Sequence, residues 1–360
     1  MPELQTPVEP KVATRPRLAL VGMHIRGLRA IERFDLPEDG LGWQGEIPDL
    51  VLLAGINGSG KTTLMNFIVE CLSLLPFFRQ GVVRGETDVP TLAEASEAWV
   101  DFEFESNEGE STRFRILVGD SGFLAANRTE TTLLVQCKNT NAWMATTPYL
   151  SSVGPTINKL FSLGTFPSVV FLPSENRALS LPKEAYKTAG SLIEDRPFVH
   201  RWQPPALWKE SLEAYLYSLR WEDLNAKEEG RHEDSHHVAS YAEAFHKLTE
   251  GRKSLAFEGG KLVVRVVGSH IAHDLAALSS GERQLLVMLG ELVRYWRPGS
   301  LVLIDEPELH LHARWQTLLY DSLLHWQKER GGQIILATQS PHLVELAGPG
   351  TAALLGMEPL

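Results

Sequence analysis

The chain has 360 residues, of which 43% are hydrophobic and 22% charged, and these values are ordinary for a globular protein. Its formal net charge of −11 argues against a generally basic nucleic-acid-binding protein, although a local basic groove is compatible with it. Cys71 and Cys137 show no disulfide or metal-site spacing, and no apolar run has the length of a membrane helix. We therefore expect a cytoplasmic protein that does not enter a membrane.

The first predicted elements lead from a tail into a buried strand. The N-terminal segment contains several prolines and lacks the apolar core of a signal peptide, which predicts a disordered tail over residues 1–17. A first strand is predicted over residues 18–25. The apolar run Leu50–Ala54 predicts a buried strand, and residues 63–70 have the spacing of a helix.

The residues between this strand and this helix fit the phosphate-binding loop G-x-x-x-x-G-K-[ST], known as Walker A. Glycines let backbone N–H groups approach phosphate oxygens, and a helix N-terminus adds partial positive charge. Lys61 is expected at the β- and γ-phosphates, and the Thr62 hydroxyl on Mg²⁺. The predicted nucleotide-binding residues of the loop are Asn57, Gly58, Ser59, Gly60, Lys61, Thr62 and Thr63.

A β-rich part and then a helical part follow. Residues 81–97 contain glycine, proline and acids and are expected to form a surface loop. Residues 99–105 alternate between apolar and polar side chains, and residues 113–118 are predicted to pair with them as a hairpin. Further strands are expected at 133–137 and 169–173. The composition then shifts, and helical spacing predicts a helical insertion over residues 179–255.

A second acidic motif lies in the C-terminal part. The apolar run at residues 301–304 ends in Asp305 and Glu306, which is the Walker B pattern. Asp305 is expected to hold Mg²⁺, and Glu306 to polarise the attacking water as a general base. Because parallel strands end at the same edge of a sheet, we expect both motifs to form one site.

A third motif precedes it. Residues 278–284 resemble the LSGGQ signature of ATP-binding cassette (ABC) ATPases, in which Ser279 matches the serine and Gly281 the second glycine. Ser280 stands at the first glycine, and Glu282 stands at the glutamine. An ordinary helix cap formed by one of the two serines is the alternative. The order and spacing of the three motifs favour the signature.

One position departs from the ABC pattern. ABC ATPases commonly carry a histidine after the strand predicted here at 333–338, and this histidine contacts the γ-phosphate. Gln339 occupies that position, and His342 follows three residues later. The resemblance implies that Gln339 contacts phosphate or water, although glutamine cannot carry charge.

Further segments resemble the OLD-like and RecF/SMC-related AAA ATPases of bacteria. These are Glu-Pro-Glu-x-x-Leu-His from Glu306, Trp-Gln at 315–316, Thr-x-Ser-Pro at 338–341, and residues 171–177. Gly27-Leu28-Arg29 resembles the N-terminal turn of this group, which implies that Arg29 lies near the adenine. OLD nucleases carry a C-terminal TOPRIM nuclease domain. Eighteen residues follow His342, so no such domain is expected here.

The resemblance implies an α/β fold of the ABC ATPase (P-loop NTPase) type, with a mixed sheet, an N-terminal β-rich subdomain and a helical insertion. The expected divisions are an N-terminal ATPase lobe at 18–178, the insertion at 179–255, and a C-terminal lobe at 256–360. It also implies a homodimer in which each ATP lies between Walker A of one chain and the signature loop of the other. Ser279 and Gly281 would then act on the partner's ATP.

The function implied is an ATPase that binds and hydrolyses ATP with Mg²⁺ and controls a separate effector in antiphage defence or DNA repair. The effector would be a nuclease or toxin from a neighbouring gene, and nucleic acid is a further candidate partner. An ATP-gated scaffold with negligible turnover is the first alternative. A transporter's nucleotide-binding subunit is less favoured, because the sequence after Walker B differs from that of transporters. A small-molecule kinase does not explain the signature loop.

Overall fold

A computed structural model of the chain describes residues 16–37, 47–78, 89–138, 142–146, 150–151, 153–162, 166–174, 198–201, 212–230, 237–259, 261–269, 271–348 and 352–355. The strands are β1 (Arg17–Leu28), β2 (Ile31–Leu36), β3 (Leu50–Gly55), β4 (Glu97–Glu105), β5 (Ser111–Gly119), β6 (Thr132–Cys137), β7 (Ala142–Ala145), β8 (Val169–Leu172), β9 (Val199–Arg201), β10 (Lys253–Glu258), β11 (Lys261–Val266), β12 (Ala272–Asp274), β13 (Leu301–Asp305), β14 (Gln333–Thr338) and β15 (Ala352–Leu355).

Ten helices lie between these strands in the described part of the chain. They are α1 (Lys61–Ser73), α2 (Leu75–Phe78), α3 (Pro90–Glu94), α4 (Ser121–Asn127), α5 (Val153–Ser162), α6 (Leu212–Glu228), α7 (His237–Leu248), α8 (Ser280–Tyr295), α9 (Ala313–Arg330) and α10 (Pro341–Ala347). In the ranges that the structure describes, no helix has both the length and the apolar character needed to cross a membrane.

The strands form three sheets. The main sheet has the order β15-β3-β14-β13-β8-β9, and all its neighbours run parallel. A second sheet has the order β2-β1-β4-β5-β6-β7 and is antiparallel except between β5 and β6, and β10, β11 and β12 form a small third sheet. The predicted α/β class with a β-rich N-terminal part is confirmed, although the mixed pairing lies in the second sheet.

The main sheet is buried on both faces, as parallel sheets require. Successive residues of β13 alternate between two cores: Leu301 and Leu303 face one, Val302 and Ile304 the other. The first core contains α1 and the second sheet, and the second core contains α6 to α10 except for their exposed faces. The helix that follows the Walker A loop therefore lies between the two large sheets.

Several boundaries differ from the sequence prediction. Arg17, assigned to the tail, is the first residue of β1, and a short helix, α3, occupies part of the predicted loop 81–97. Within the predicted insertion, the helices α6 and α7 are present, but β9 belongs to the main sheet. β10 extends across residue 255, the predicted end of the insertion, and pairs with β11 in the third sheet. Residues 1–15 lie outside the described residues.

A buried glutamine joins the two large sheets. Gln333, the first residue of β14, is fully buried, and its side chain reaches β1. The backbone N–H of Leu20 donates to Gln333 Oε1 at 2.8 Å, and Gln333 Nε2 donates to the carbonyls of Leu20 (3.3 Å) and Pro48 (2.9 Å). The pairing of β1 with β4 shifts register between Leu20 and Gly22. The side chain thus satisfies backbone groups beside this irregularity.

We expect Gln333→Leu to lower the free energy of unfolding by about 2–3 kcal/mol, because buried backbone groups would lose their partners. Gln327→Leu is the matched control, since Gln327 is also buried but donates one hydrogen bond, to the Gly332 carbonyl at 3.1 Å. Gln327→Leu should lower the free energy of unfolding by about 1 kcal/mol. Urea denaturation followed by tryptophan fluorescence measures both, and equal losses would show that Gln333 does not join the sheets.

Candidate nucleotide-binding site

The loop between β3 and α1 has a backbone that depends on glycine. Gly58 and Gly60 have left-handed φ angles of 81° and 98°. A Cβ atom on Gly60 would lie 2.6 Å from Cγ1 of Ile31, at the start of β2. Asn57 and Gly58 are exposed, whereas Ser59 and Gly60 are half-buried. The loop therefore presents its tip to solvent and its base to the second sheet.

The Walker A lysine is buried at the base of the loop. Lys61 is 4% exposed, and its Nζ donates to the carbonyls of Gly55 (2.8 Å) and Ile56 (2.9 Å). A lysine ammonium has three donors and no acceptor, so the two carbonyls of the loop satisfy two of the three donors of Lys61. Thr63 follows in the first turn of α1 and is half-buried.

Walker A and Walker B meet at one carboxylate. Asp305, at the end of β13, is fully buried, and its Oδ2 accepts from the Thr62 hydroxyl at 2.7 Å. The same oxygen accepts from the Ser174 hydroxyl at 2.9 Å. The structure thus brings these two predicted residues together and adds Ser174. Residues 175–177, which the sequence analysis quoted with it, lie outside the described residues.

The chemistry of this carboxylate fits a divalent cation. Asp305 Oδ1 is buried and has no hydrogen-bond partner among the described residues, although an unpaired buried carboxylate oxygen is costly. Mg²⁺ prefers oxygen ligands and is commonly held by one or two protein groups together with phosphate oxygens. In the part of the chain that the structure describes, no group of three or more His, Cys, Asp or Glu could hold a metal alone. Thr62 and Asp305 therefore suit Mg²⁺ that arrives with a nucleotide.

Glu306 follows Asp305 with an unusual backbone. Its φ angle is 47°, in the left-handed region that non-glycine residues adopt uncommonly. Its backbone N–H donates to the Ala337 carbonyl at 2.7 Å, which fastens this turn to β14. The side chain is half-buried. Strained backbone held by neighbouring contacts is common at functional sites.

A second glutamate connects Walker B with the residue in the switch position. Glu308 is 8% exposed, and its Oε1 accepts from the Thr338 hydroxyl at 2.7 Å and from the Gln339 backbone N–H at 2.8 Å. The Gln339 side chain is exposed. The structure therefore fixes the backbone of Gln339 and leaves its amide at the surface. His342 instead contacts the Thr317 hydroxyl through Nε2, at 2.8 Å.

The signature loop caps helix α8. Ser279 is the N-cap, and its hydroxyl accepts from the backbone N–H of Glu282. Glu282 in turn accepts from the N–H and the hydroxyl of Ser279, each at 2.9 Å, through Oε2. The structure thus shows the helix cap at Ser279, and the role of Ser279 as a signature serine stays a prediction. Burial alone would raise the pKa of the Glu282 carboxyl, but hydrogen bonds from Lys253 and Ser279 hold it below its ordinary value.

Gly281 lies against the segment that follows Walker B. A Cβ atom there would be 2.6 Å from the backbone oxygen of His310 and 3.4 Å from Leu311 Cδ2. His310 itself has a left-handed φ of 62°. A side chain at Gly281 would therefore separate the signature loop from the segment after β13.

Arg29 lies at the turn between β1 and β2, with a left-handed φ of 52°. Its guanidinium donates to both carboxylate oxygens of Glu94, from Nε at 2.6 Å and from Nη2 at 3.0 Å. The turn is close to Walker A, because β2 begins with the Ile31 side chain that approaches Gly60. A contact between Arg29 and adenine stays a prediction.

The sequence analysis missed Ser174 and Glu308 as members of the site. Ser174 follows β8, the parallel neighbour of β13, so its hydroxyl emerges at the same edge as Asp305. A search for polar residues directly after every buried strand would have found it. Glu308 lies within a motif that was quoted for its resemblance, without a physical role.

Residues 242–345 match a protein family described as "AAA domain, putative AbiEii toxin, Type IV TA system". The matched range contains the signature loop, Asp305, Glu306 and Gln339, and it does not include the Walker A loop.

Three solved structures of SMC head domains are similar to the chain. One is an SMC head bound to the C-terminal winged-helix domain of ScpA, with 14% identity over 91% of each chain and a TM-score of 0.46. The second, from Pyrococcus furiosus, has an extended coiled coil and is bound to the C-terminal domain of ScpA. It shows 12% identity over 92% of this chain and 91% of that chain, with a TM-score of 0.41. The third, from Thermotoga maritima, shows 13% identity over 91% of each chain and a TM-score of 0.40.

These likenesses are low in identity and in TM-score, and the family match is confined to residues 242–345. The structure itself shows an α/β fold in which the Walker A and Walker B motifs meet at one edge of a parallel sheet.

Proposed function

We propose that this chain binds ATP with Mg²⁺, hydrolyses it, and closes into a homodimer that controls a separate effector. The observation that carries the proposal is the contact between Walker A and Walker B. The Thr62 hydroxyl lies 2.7 Å from Asp305 Oδ2, and Asp305 Oδ1 is buried without a hydrogen-bond partner among the described residues. This pair suits a cation that arrives with a nucleotide, because the loop that fits the phosphate-binding motif carries Thr62.

In this proposal Thr62 and Asp305 hold Mg²⁺, which neutralises charge on the phosphates during transfer. Lys61 leaves the carbonyls of Gly55 and Ile56 and donates to the β- and γ-phosphates. The backbone N–H groups of residues 57–63 surround the triphosphate at the start of α1. Ser174 keeps donating to Asp305 and fixes the carboxylate from the side of β8.

Glu306 acts on water in this mechanism. It accepts a proton from the attacking water or orients that water toward the γ-phosphate. Gln339 hydrogen-bonds phosphate or water, and Glu308 sets its backbone position. Because the Gln339 amide carries no charge, it cannot supply the positive charge that a protonated histidine would bring.

The signature loop of the second chain completes each site. Ser279 and Gly281 face the triphosphate bound by the partner, so ATP favours the closed dimer and hydrolysis removes that preference.

The cycle then works as a switch for an effector protein, a nuclease or a toxin from a neighbouring gene. The reference to a type IV toxin–antitoxin system in the matched family's description supports a role in antiphage defence, and DNA repair is the other setting. We place the protein in the cytoplasm.

An ATP-gated scaffold with negligible turnover is the second candidate, favoured by the uncharged, exposed Gln339 at the switch position. ATPase activity of the purified protein, with and without double-stranded DNA, separates the two. Stimulation by DNA would support a nucleic-acid-responsive ATPase. Turnover that is negligible in both conditions, with ATP still driving dimerisation, would favour the scaffold.

We expect Glu306→Gln to lower ATP turnover by about two orders of magnitude or more, because glutamine cannot accept the proton. ATP binding should persist, so the variant should accumulate as an ATP-bound dimer in size-exclusion chromatography with light scattering. Glu345→Gln, a change on α10 outside the proposed site, is the control. Unchanged phosphate release by Glu306→Gln would remove Glu306 from the mechanism.

We expect Thr62→Ala to weaken Mg²⁺-dependent nucleotide binding about ten-fold or more, since a metal ligand and a donor to Asp305 are lost. In EDTA, binding of a fluorescent ATP analogue should differ little from that of the parent. Ser73→Ala is matched to it, because Ser73 lies at the other end of α1 and donates to the Glu70 carbonyl. Equal weakening with and without Mg²⁺ would contradict a metal role for Thr62.

We expect Gly281→Ala to reduce ATP-driven dimerisation while each chain still binds ATP. The added Cβ would have to move away from the His310 oxygen, which displaces the loop proposed to contact the partner's ATP. Gly122→Ala in helix α4, where a Cβ would approach only Asp120 Oδ1, at 3.4 Å, should dimerise normally. Sedimentation velocity in the Glu306→Gln background measures both, and normal dimerisation of Gly281→Ala would contradict this role.

A further inference from the structure

An ion pair between a half-buried lysine and a buried glutamate lies next to Ser279. Glu282 is 6% exposed, and its Oε1 lies 2.5 Å from Nζ of Lys253, the first residue of β10. Its other oxygen, Oε2, accepts from the backbone N–H and the hydroxyl of Ser279. One carboxylate therefore joins the third sheet to the start of α8.

We propose that Lys253 is a positioning residue that neutralises the Glu282 carboxylate and so allows the signature loop to accept the triphosphate of a second copy of this chain. The inference rests on the proposed ATP-bound dimer and adds a residue from outside the three nucleotide motifs. Lys253 acts through Glu282 and Ser279, not through contact with the nucleotide.

The first argument concerns charge. Helix N-termini attract anions, but Glu282 places a full negative charge in the first turn of the helix that is proposed to face the partner's phosphates. Two anions repel each other, and the repulsion grows as an interface excludes water. Because Lys253 pairs with Glu282 at 2.5 Å, the loop meets the phosphates as a neutral unit.

The second argument concerns the proton of the Ser279 hydroxyl. In this structure that proton is donated to Glu282 Oε2. To donate to phosphate, the hydroxyl has to turn away, and Glu282 then loses one of its donors. The backbone N–H of Ser279 and the ammonium of Lys253 still contact Glu282, so its buried carboxylate stays compensated when the Ser279 hydroxyl turns to phosphate.

Lys253 also connects the signature loop with the helical region. β10 begins five residues after the end of α7, and between them Glu250 Oε1 contacts Nε of Arg314 at 3.1 Å, in the first turn of α9. The segment that carries Lys253 is thus anchored to the helix that follows Walker B. A partner that moved α7 would act on the signature loop through this lysine.

The test uses the full chain in the Glu306→Gln background, with dimerisation measured by sedimentation velocity at saturating ATP and Mg²⁺. We expect Lys253→Met to raise the dimer dissociation constant about ten-fold or more, because it leaves a buried carboxylate without its cation. Binding of a fluorescent ATP analogue to the monomer should stay within about two-fold of the parent. Lys253→Arg, which keeps the charge, should dimerise close to the parent.

The double variant Lys253→Met/Glu282→Gln removes both charges and should recover most of the dimerisation lost in Lys253→Met. An ion pair that served folding alone would give no such recovery in dimerisation. Lys247→Met, which removes an exposed lysine of α7 paired with Glu243, is the matched control and should behave like the parent.

If Lys253→Met does not fold, Glu282→Gln decides the question: it removes the negative charge that Lys253 is proposed to neutralise, so the variant should dimerise at least as tightly as the parent. Weaker dimerisation of a folded Glu282→Gln variant would overturn the inference. Normal dimerisation of Lys253→Met, or a double variant no better than the single one, would overturn it. If the Glu306→Gln parent itself stays monomeric with ATP, the proposed dimer is wrong, and the inference falls with it. That failure is distinct, because it appears before any change at Lys253.

Discussion

The candidate site depends on the parallel register of three strands. β3 and β13 lie on either side of β14, so the loop after β3 and the acids after β13 emerge at the same edge of the main sheet. The result is a hydrogen bond between Thr62 and Asp305, which are 243 residues apart in the chain. A buried carboxylate is unfavourable unless it is compensated. Two hydroxyls compensate one oxygen of Asp305, and the other has no hydrogen-bond partner among the described residues.

The backbone that follows Walker B has an unusual conformation at two residues. Glu306 and His310 both have left-handed φ angles, within the short segment that connects β13 to α9. The Glu306 N–H donates to the Ala337 carbonyl, and the His310 carbonyl lies so close to Gly281 that a Cβ atom there would be 2.6 Å from it. Unfavourable conformations persist only where surrounding contacts fix them. The segment that follows Walker B therefore contacts both β14 and the signature loop.

The sequence revealed the parts of the site that are local and missed those that depend on neighbouring strands. Walker A and Walker B are contiguous motifs flanked by apolar runs, so they could be read directly. Ser174 was not assigned, because its role depends on β8 lying beside β13, which no single motif reveals. The same holds for the fold: β9 has only three residues, and α3 begins where the Glu70 carboxylate of α1 accepts the Leu92 N–H at 2.7 Å. Neither element has a periodic pattern of its own.

A chain with a net charge of −11 that is proposed to bind ATP has to compensate its acids locally. The carboxylates of the three motifs differ in how this is done. Glu282 is paired with Lys253, whereas Glu308 and Asp305 each accept two hydrogen bonds through one oxygen. Glu308 Oε2 and Asp305 Oδ1 are both buried without a hydrogen-bond partner among the described residues. Compensation by fixed protein groups suits carboxylates that hold a loop in place. What sets Asp305 apart from Glu308 is its neighbour: Thr62 of the phosphate-binding loop donates to Asp305, whereas Thr338 and Gln339 donate to Glu308. The proposed cation therefore suits Asp305, because the phosphates that would arrive with it bind at the loop that carries Thr62.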